Sequence, residues 1–297
     1  MSKPGRLWID EPNWLDVLAR KRWSGEFSEE LSGRIFRFVR DGYVIIPQAV
    51  PADLLDRLDA DIEELWSAPP PGLLIETYEP DNRLKHIPPV VAYRSGNARL
   101  LDLFAFCATA RAAIANPPAM EFLRAIFGAR PKAMQSLSFW NGSQQPIHKD
   151  TAYVRVDTGA MRLAATWLAL EDVEPGTGEL EYYIGSHRAP AFMFGGESRW
   201  MEYKPGEHSD FLRSLHEDAQ RFGQPRGSFL GKKGDLLIWH ADLAHGGAQI
   251  TKPGRTRRSL VAHFCAEADE PYYRRHSQTK ELTTEECVFV SAFADVR

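Results

Sequence analysis

The pattern of apolar and turn residues changes at about residue 131, and this change constrains the fold more than any other feature of the sequence. Beyond it, short runs rich in β-branched and aromatic residues alternate with turn residues. The runs are MQSLSFW, AYVRV, RLAATWLAL, ELEYYI, DLLIW and SLVAHF. Glycine and proline clusters such as Pro175-Gly176 and Pro253-Gly254 separate them. Regularly spaced short strands with such turns predict an antiparallel sandwich or jelly-roll barrel.

The first 130 or so residues have a mainly helical pattern instead. Apolar residues recur there at helical spacing, and Ser28 is suited to cap the first helix. The pattern predicts helices over Ser28–Arg40, Pro51–Trp66, Leu100–Ile114 and Pro118–Phe127, and a short strand over Tyr43–Pro47. Residues 68–98 hold proline-rich stretches and are predicted to be irregular.

These patterns predict one domain over residues 1–297, a mainly β fold with flanking helices. Residues 1–130 form a helical support, 131–265 the jelly-roll core and 266–297 a C-terminal extension. Within the core, residues 187–228 break the strand pattern with a Gly-Gly pair, an aromatic cluster and a polar stretch. We interpret residues 187–228 as a lid-like insertion over one mouth of the barrel.

Charge and composition argue against several classes of partner. The chain carries 36 Lys and Arg against 40 Asp and Glu, a net charge of −4, so no basic excess favours nucleic acid or an anionic membrane. No apolar run approaches the roughly 20 residues that span a bilayer. The start, MSKPGRLWIDEPNW, is not typical of a secretory signal, and the 3 cysteines are far apart. A cytoplasmic protein acting on a small molecule is therefore expected.

Two segments of the β-rich half carry residues suited to a metal ion. In Gln145–Asp150, His148 and Asp150 stand two apart, so an extended strand would point both side chains the same way. In the segment that follows Gly234, either His240 or His245 could supply a third ligand. Two imidazoles and one carboxylate form the facial triad that suits non-haem Fe(II) and leaves coordination positions open.

An arginine run opens the last strand of this half. Alternation along RSLVAHF puts Arg257 on one face and Arg258 on the other. A guanidinium inside a barrel needs an anionic partner, and a ligand carboxylate held by two hydrogen bonds would satisfy it. The other reading is that the arginines are solvated at a sheet edge, which fits Arg255 and Arg258 best.

Taken together, these motifs resemble the phytanoyl-CoA dioxygenase family of Fe(II)- and 2-oxoglutarate-dependent oxygenases. The matching segments are FVRDGYVIIP from Phe38, His148-Lys149-Asp150, Trp167–Asp172, Gly178–Leu180, Gly185-Ser186-His187, and Gly234-Asp235 through His245-Gly246-Gly247 to Arg257. The resemblance covers most of the chain. It implies a double-stranded β-helix, a cupin-like jelly roll, packed against the N-terminal helices.

The resemblance also implies roles for individual residues. His148, Asp150 and His245 match the iron ligands, and Arg257 matches the residue that binds the distal carboxylate of 2-oxoglutarate. Counting residues near Pro253-Gly254 leaves Arg255 and Arg258 as alternatives for that anchor. Trp167 matches a position beside the cosubstrate or, equally, a core aromatic, and Gln135 could hydrogen-bond the cosubstrate. The implied cofactors are Fe(II), 2-oxoglutarate and O2.

The implied reaction is hydroxylation of an unactivated C–H bond of a small molecule, with release of succinate and CO2. Trp140, Tyr153, Arg199 and Trp200 are the candidate substrate contacts. Aromatic residues of the insertion (Phe192, Met193, Phe194, Trp200 and Tyr203) either form a lid over the substrate or pack the insertion onto the barrel. The alternatives for function are a metal-dependent hydrolase or isomerase, or a non-catalytic ligand-binding protein, on the same barrel.

Overall fold

A computed structural model describes residues 6–78, 84–96, 98–156, 162–201 and 204–296. Its helices are α1 (Trp14–Trp23), α2 (Glu29–Asp41), α3 (Ala52–Ser67), α4 (Ala108–Ile114), α5 (Pro117–Phe127) and α6 (Glu207–Arg221). The strands of the first half are β1 (Tyr43–Ile46), β2 (Ile75–Tyr78), β3 (Leu84–Ile87), β4 (Arg99–Leu101) and β5 (Pro131–Phe139). The remaining strands are β6 (Leu163–Ala169), β7 (Leu180–Tyr183), β8 (Arg226–Phe229), β9 (Leu236–His240), β10 (His245–Gly247), β11 (Ser259–Ala266), β12 (Leu282–Thr283) and β13 (Val288–Phe289).

The strands form two sheets. The larger has the order β1-β9-β6-β11-β5-β4-β2-β3, with β13 parallel to β5 and β12 paired to β13. The smaller has the order β10-β7-β8. Apart from β13 with β5, the pairings between the described strands are antiparallel. Two antiparallel sheets with strands that cross between them are the arrangement of a jelly roll.

The central strands β6, β9 and β11 of the larger sheet are largely apolar because both of their faces are buried. On β6, Leu168 packs toward the N-terminal helices, whereas Trp167 packs toward the smaller sheet. On β9, Ile238 and Leu237 divide in the same way. Alternate residues on a strand point to opposite faces, so such a sheet fills one core under the helices and a second core inside the barrel.

Helix α2 of the N-terminal helical layer begins where the sequence predicts, after Ser28. The Ser28 side chain accepts a hydrogen bond from the Leu31 amide at 3.1 Å, which caps the helix. The helix ends at Gly42, whose φ of 85° lies in the left-handed region. Phe38 of α2 meets Phe122 of α5 at a ring separation of 5.2 Å. The helices thereby cover the outer face of the larger sheet.

Two predictions for the first half are wrong. The predicted helix over Leu100–Ile114 consists of β4, a 3-10 turn over Leu103–Ala105 and the shorter α4. Asp102 breaks it, with a φ of 49° and a buried carboxylate that accepts from the Ser136 amide at 2.7 Å. The predicted irregular stretch holds β2 and β3, which extend the larger sheet at its edge.

Candidate metal centre

His148, Asp150 and His245 lie together inside the barrel, and each is buried. One donor atom from each residue lies within 4.8 Å of the other two. Asp150 Oδ1 is 3.7 Å from His148 Nε2 and 3.6 Å from His245 Nε2. The structure thus brings the three predicted ligands around a common point, and together they form a potential iron site.

Main-chain contacts hold the two ligand-bearing segments side by side. The His148 amide donates to the His245 carbonyl at 2.8 Å, and the His245 amide donates back to the His148 carbonyl at 2.9 Å. After this bridge the chain does not continue as the predicted strand AYVRV but turns in a 3-10 helix over Asp150–Ala152. The turn forms because the Asp150 carbonyl accepts from the amides of Tyr153 and Val154 at 2.8 and 2.7 Å.

Both ligand imidazoles are oriented by their second nitrogen. His148 Nδ1 lies 2.8 Å from the Pro146 carbonyl, and His245 Nδ1 lies 2.9 Å from the Leu243 carbonyl. A carbonyl can only accept, so Nδ1 carries the proton in each ring and the Nε2 lone pair faces the centre. Burial, together with the neighbouring His245, lowers the pKa of His148 to about 3. His148 is therefore neutral at ordinary pH, as a metal ligand must be.

Asp150 completes the centre as an anion. Burial alone would raise its pKa, but the imidazoles of His245, His263 and His148 together lower it below its usual range. Its second oxygen, Oδ2, accepts a hydrogen bond from Trp239 Nε1 at 2.8 Å. Two neutral imidazoles and one carboxylate on one side of a point are the donor set of a facial triad.

Arg257 lines the same cavity as these three residues and is buried. Its Nε donates to the Gly178 carbonyl at 2.9 Å and one terminal nitrogen donates to Ser259 Oγ at 2.6 Å. No carboxylate of the described residues pairs with it. Burial lowers its pKa to about 10, so the guanidinium stays charged at neutral pH. A buried cation that forms no ion pair with the described residues is arranged to receive an anionic ligand.

The other two arginines of the run have protein partners. Arg258 lies on the opposite face, 2.7 Å from Asp59 and stacked 4.5 Å from the Trp140 ring centre. Arg255 is exposed and pairs with Glu174. Of the three arginines, only Arg257 lines the cavity. The alternation expected from the sequence is what separates Arg257 from Arg258.

Of the other residues predicted to contact the cosubstrate or the substrate, some line the cavity and some lie outside it. Trp167 lines the cavity, with its ring centre 5.0 Å from the Arg257 guanidinium carbon. Gln135 is not among the described residues that line it. Trp140 turns away, because its strand neighbour Phe139 faces in, and Arg94 stacks 3.4 Å from its ring centre.

The candidate substrate contacts lie around the centre rather than in it. Tyr153 meets the His148 ring edge-on at 5.5 Å, and its hydroxyl lies 2.7 Å from His208 Nε2 of α6. Arg199 pairs with Asp242 at 3.3 Å, so its charge has a protein partner. Trp200 stacks 4.2 Å from the guanidinium carbon of Arg155. The substrate roles of these residues stay predictions.

The insertion packs onto the segments that carry the metal ligands. Phe194 and Phe211 are buried in a cluster with Ala152 and Ala244, and their ring centres are 5.3 Å apart. The insertion therefore reaches the turn at Asp150. Tyr203, predicted as part of the same aromatic group, lies outside the described residues.

His263 and Arg99 are among the cavity residues to which the sequence patterns gave no role. His263 lines the cavity from β11, on the same strand face as Arg257 and Val261. Its spacing of two from Val261 and six from Arg257 was a usable signal. Arg99 enters from β4, where it pairs with Glu76, and no pattern pointed to it because β4 was not predicted and Arg99 lies between the predicted irregular stretch and the predicted helix.

Acid is expected to destabilise the protein through histidines that stay neutral because they are largely removed from water. Burial, with His240 nearby, lowers the pKa of His187 to about 3, as burial also does for His148. An unfolded histidine binds its proton near pH 6.5, so the unfolded state binds more protons between about pH 3 and 6.5. The free energy of unfolding therefore falls as pH drops through this window, by up to about 1.4 kcal/mol per pH unit for each such histidine.

The His187→Gln variant measures that contribution away from the metal ligands. His187 Nε2 lies 3.0 Å from the Val39 carbonyl, and a glutamine amide can donate to the same acceptor. Urea unfolding of wild type and variant at pH 7 and pH 5 should show a weaker loss of stability in the variant. Equal losses would mean that the pKa of His187 is not lowered in the folded protein.

A comparison with protein families agrees with this geometry. The family model described as phytanoyl-CoA dioxygenase (PhyH) matches residues 38–259. The chain belongs to the phytanoyl-CoA dioxygenase family. The match spans both ligand-bearing segments and Arg257, and it confirms the resemblance seen in the sequence. No curated protein matches the chain in sequence.

Solved structures similar to this member of the phytanoyl-CoA dioxygenase family have the same fold at low identity. SnoN, a non-heme alpha ketoglutarate dependent epimerase from nogalamycin biosynthesis, is 18% identical with a TM-score of 0.59 over 81% of this chain and 84% of its own. EctD from S. alaskensis, solved with 2-oxoglutarate and 5-hydroxyectoine, is 20% identical with a TM-score of 0.57 over 81% and 76%. The carbocyclase SnoK is 16% identical with a TM-score of 0.57 over 83% and 87%. These likenesses confirm the predicted fold class.

Among the helices that the structure describes, none combines the length and the apolar character needed to cross a bilayer.

Proposed function

We propose that this protein is an Fe(II)- and 2-oxoglutarate-dependent dioxygenase that hydroxylates an unactivated C–H bond of a small molecule, releasing succinate and CO2. One observation carries the proposal. A His-Asp-His donor set and a buried arginine without a carboxylate partner face the same cavity. A metal-dependent hydrolase or isomerase would use the metal site but not the buried arginine. Binding of 2-oxoglutarate would use both.

His148, Asp150 and His245 would hold the iron. Their Nε2 atoms and Asp150 Oδ1 supply two neutral nitrogens and one anionic oxygen, and the hydrogen bonds at Nδ1 keep both rings in place. When bound, iron supplies the activation of dioxygen that is coupled to decarboxylation of the keto acid. Three protein ligands leave the other positions of a six-coordinate ion for the cosubstrate and dioxygen.

Arg257 would bind the carboxylate of 2-oxoglutarate that is remote from the keto acid. Its guanidinium is oriented in advance by Gly178 and Ser259, so little rotamer freedom is lost when the ligand binds. The Trp167 ring beside it excludes water, which strengthens the charge pairing in a medium of low dielectric constant. With the metal at one end and Arg257 at the other, the cavity would select a dicarboxylate by its length and its charge.

Apolar side chains form part of the cavity wall, which Leu137, Phe139, Leu180 and Val261 line together with Arg257 and the metal ligands. Such walls exclude water from the reacting groups and leave an open mouth for the substrate. A small-molecule substrate would enter there, beside Tyr153 and the insertion.

Turnover tests the proposal. Protein loaded with Fe(II) under anaerobic conditions is mixed with 2-oxoglutarate, dioxygen and compounds from several chemical classes, and succinate is measured. We expect one class to stimulate succinate release, with one atom of isotope-labelled dioxygen appearing in its product.

The His245→Ala variant is the control and should release no succinate above background. A product that gains no oxygen would overturn hydroxylation, and an absence of succinate with every class while the substrate is converted would favour a hydrolase or isomerase.

A further inference from the structure

A third imidazole, that of His263, faces the metal ligands from the central strand β11. This strand lies between β5 and β6, and its register against β5 shifts between His263 and Phe264. One extra residue of β5, Met134, is accommodated at that point. Bulges of this kind re-aim side chains and recur beside active sites. His263 is buried, on the same strand face as Arg257.

The contact of His263 is with the carboxylate of Asp150, on the oxygen that points away from the two ligand imidazoles. His263 Nε2 lies 3.5 Å from Asp150 Oδ2, and Trp239 Nε1 donates to that same oxygen at 2.8 Å. The other oxygen, Oδ1, faces the Nε2 atoms of both ligand histidines. The two oxygens of the Asp150 carboxylate therefore have different neighbours: Oδ1 faces the ligand histidines, and Oδ2 faces Trp239 and His263.

The other ring nitrogen shows where the proton of His263 resides. His263 Nδ1 is buried and has no hydrogen-bond partner among the described residues. A neutral imidazole has one donor and one acceptor nitrogen, and a buried donor without an acceptor is costly. With the proton on Nε2, the donor faces an acceptor oxygen of Asp150. In that tautomer, His263 Nε2 is placed to donate to Asp150 Oδ2.

We propose that His263 is a positioning residue for Asp150. Together with Trp239 it binds Oδ2, so that the carboxylate offers the metal Oδ1 alone. Without it, Oδ2 can rotate toward the metal, and a carboxylate bound through both oxygens takes up a position needed by the cosubstrate or dioxygen. The 3.5 Å separation is long, and hydrogen bonds of a site commonly shorten when its ligand binds. The inference rests on the proposed metal site.

Co(II) is the probe for the test, because its visible absorption reports the number and symmetry of its ligands without turnover. The His263→Gln variant keeps an amide N–H close to the position of Nε2, whereas His263→Asn is too short to reach Asp150. We expect His263→Gln to bind Co(II) with nearly wild-type affinity and spectrum. His263→Asn should bind about 10- to 100-fold more weakly, as is typical when a ligand loses its hydrogen-bond partner, with a changed spectrum.

Trp239→Phe is the matched variant, since it removes the second donor to the same oxygen while keeping an aromatic ring. It should shift the spectrum in the same direction as His263→Asn. Far-ultraviolet circular dichroism checks that each variant is folded, and both His263 variants are polar and similar in size to the imidazole.

The outcomes are distinguishable. If wild type and His263→Asn give the same affinity and spectrum, His263 does not position Asp150 and the inference fails, while the proposed function stands. If His263→Gln loses as much affinity for Co(II) as His263→Asn, the imidazole itself matters and the positioning role is wrong. If wild-type protein binds Co(II) no better than the His245→Ala variant, the proposed metal site itself fails.

Discussion

The His245→Ala variant is expected to lose metal binding at this centre, with an affinity more than about 100-fold below that of wild type. Loss of a hydrogen-bond partner of a ligand already costs roughly 10- to 100-fold, and loss of the ligand itself should cost more. The fold should persist, because the contacts that join His148 and His245 use main-chain atoms. Equilibrium titration with Fe(II) under anaerobic conditions, or with Co(II), measures the loss.

His240 provides the matched control, because it was the alternative ligand in the sequence and lies five positions away. Its Nδ1 accepts from the Asp242 amide at 3.0 Å, and its Nε2 faces Asp10. Asparagine can replace the acceptor at Nδ1, so the His240→Asn variant should bind metal as wild type does. Loss of metal in His240→Asn with retention in His245→Ala would show that the distal ligand is wrongly assigned.

The Arg257→Ala variant should lose most of its affinity for 2-oxoglutarate while keeping its affinity for metal. Removing one partner of a buried, hydrogen-bonded charge pair costs about 2–5 kcal/mol. A loss of that size weakens binding on the order of 30- to 5000-fold. Half-saturation of the protein with 2-oxoglutarate in the presence of Fe(II), measured without oxygen, gives the change directly.

The neighbouring arginines give the control for Arg257. Arg255→Ala removes an exposed partner of Glu174, and Arg258→Ala removes a partner of Asp59 on the other face of the strand. Neither should change the affinity for 2-oxoglutarate by more than a few-fold. A large loss in either of them, with little in Arg257→Ala, would contradict the assignment of the anchor.

Local periodicity predicted the parts of the site that lie on regular strands. Alternation counted back from the start of β11 at Ser259 separated Arg257 from Arg258, and the structure places only Arg257 in the cavity. The pairing of His148 with Asp150 was correct for a different reason from the one expected. A 3-10 turn directs Asp150 toward the centre, and turns of this kind depend on hydrogen bonds that no spacing rule reports.

Contacts between distant segments account for what the sequence did not predict. The stretch before α4 has helical spacing, yet a buried hydrogen bond from Ser136 to Asp102 forces a turn there. His263 has an ordinary position in an apolar strand, and only the fold brings Asp150 next to it, 113 positions away along the chain. The division into helical support, core and C-terminal extension, and the cosubstrate role of Gln135, stay predictions.

Anaerobic addition of 2-oxoglutarate to the Fe(II)-loaded protein tests the central claim most directly. Chelation of iron by the keto acid gives a weak visible charge-transfer band, which forms only if the three ligands bind iron and leave adjacent positions open. We expect this band in wild type, its absence in His245→Ala, and its appearance in Arg257→Ala only at much higher 2-oxoglutarate concentrations. A wild-type protein that binds iron but gives no band at any 2-oxoglutarate concentration would contradict the claim.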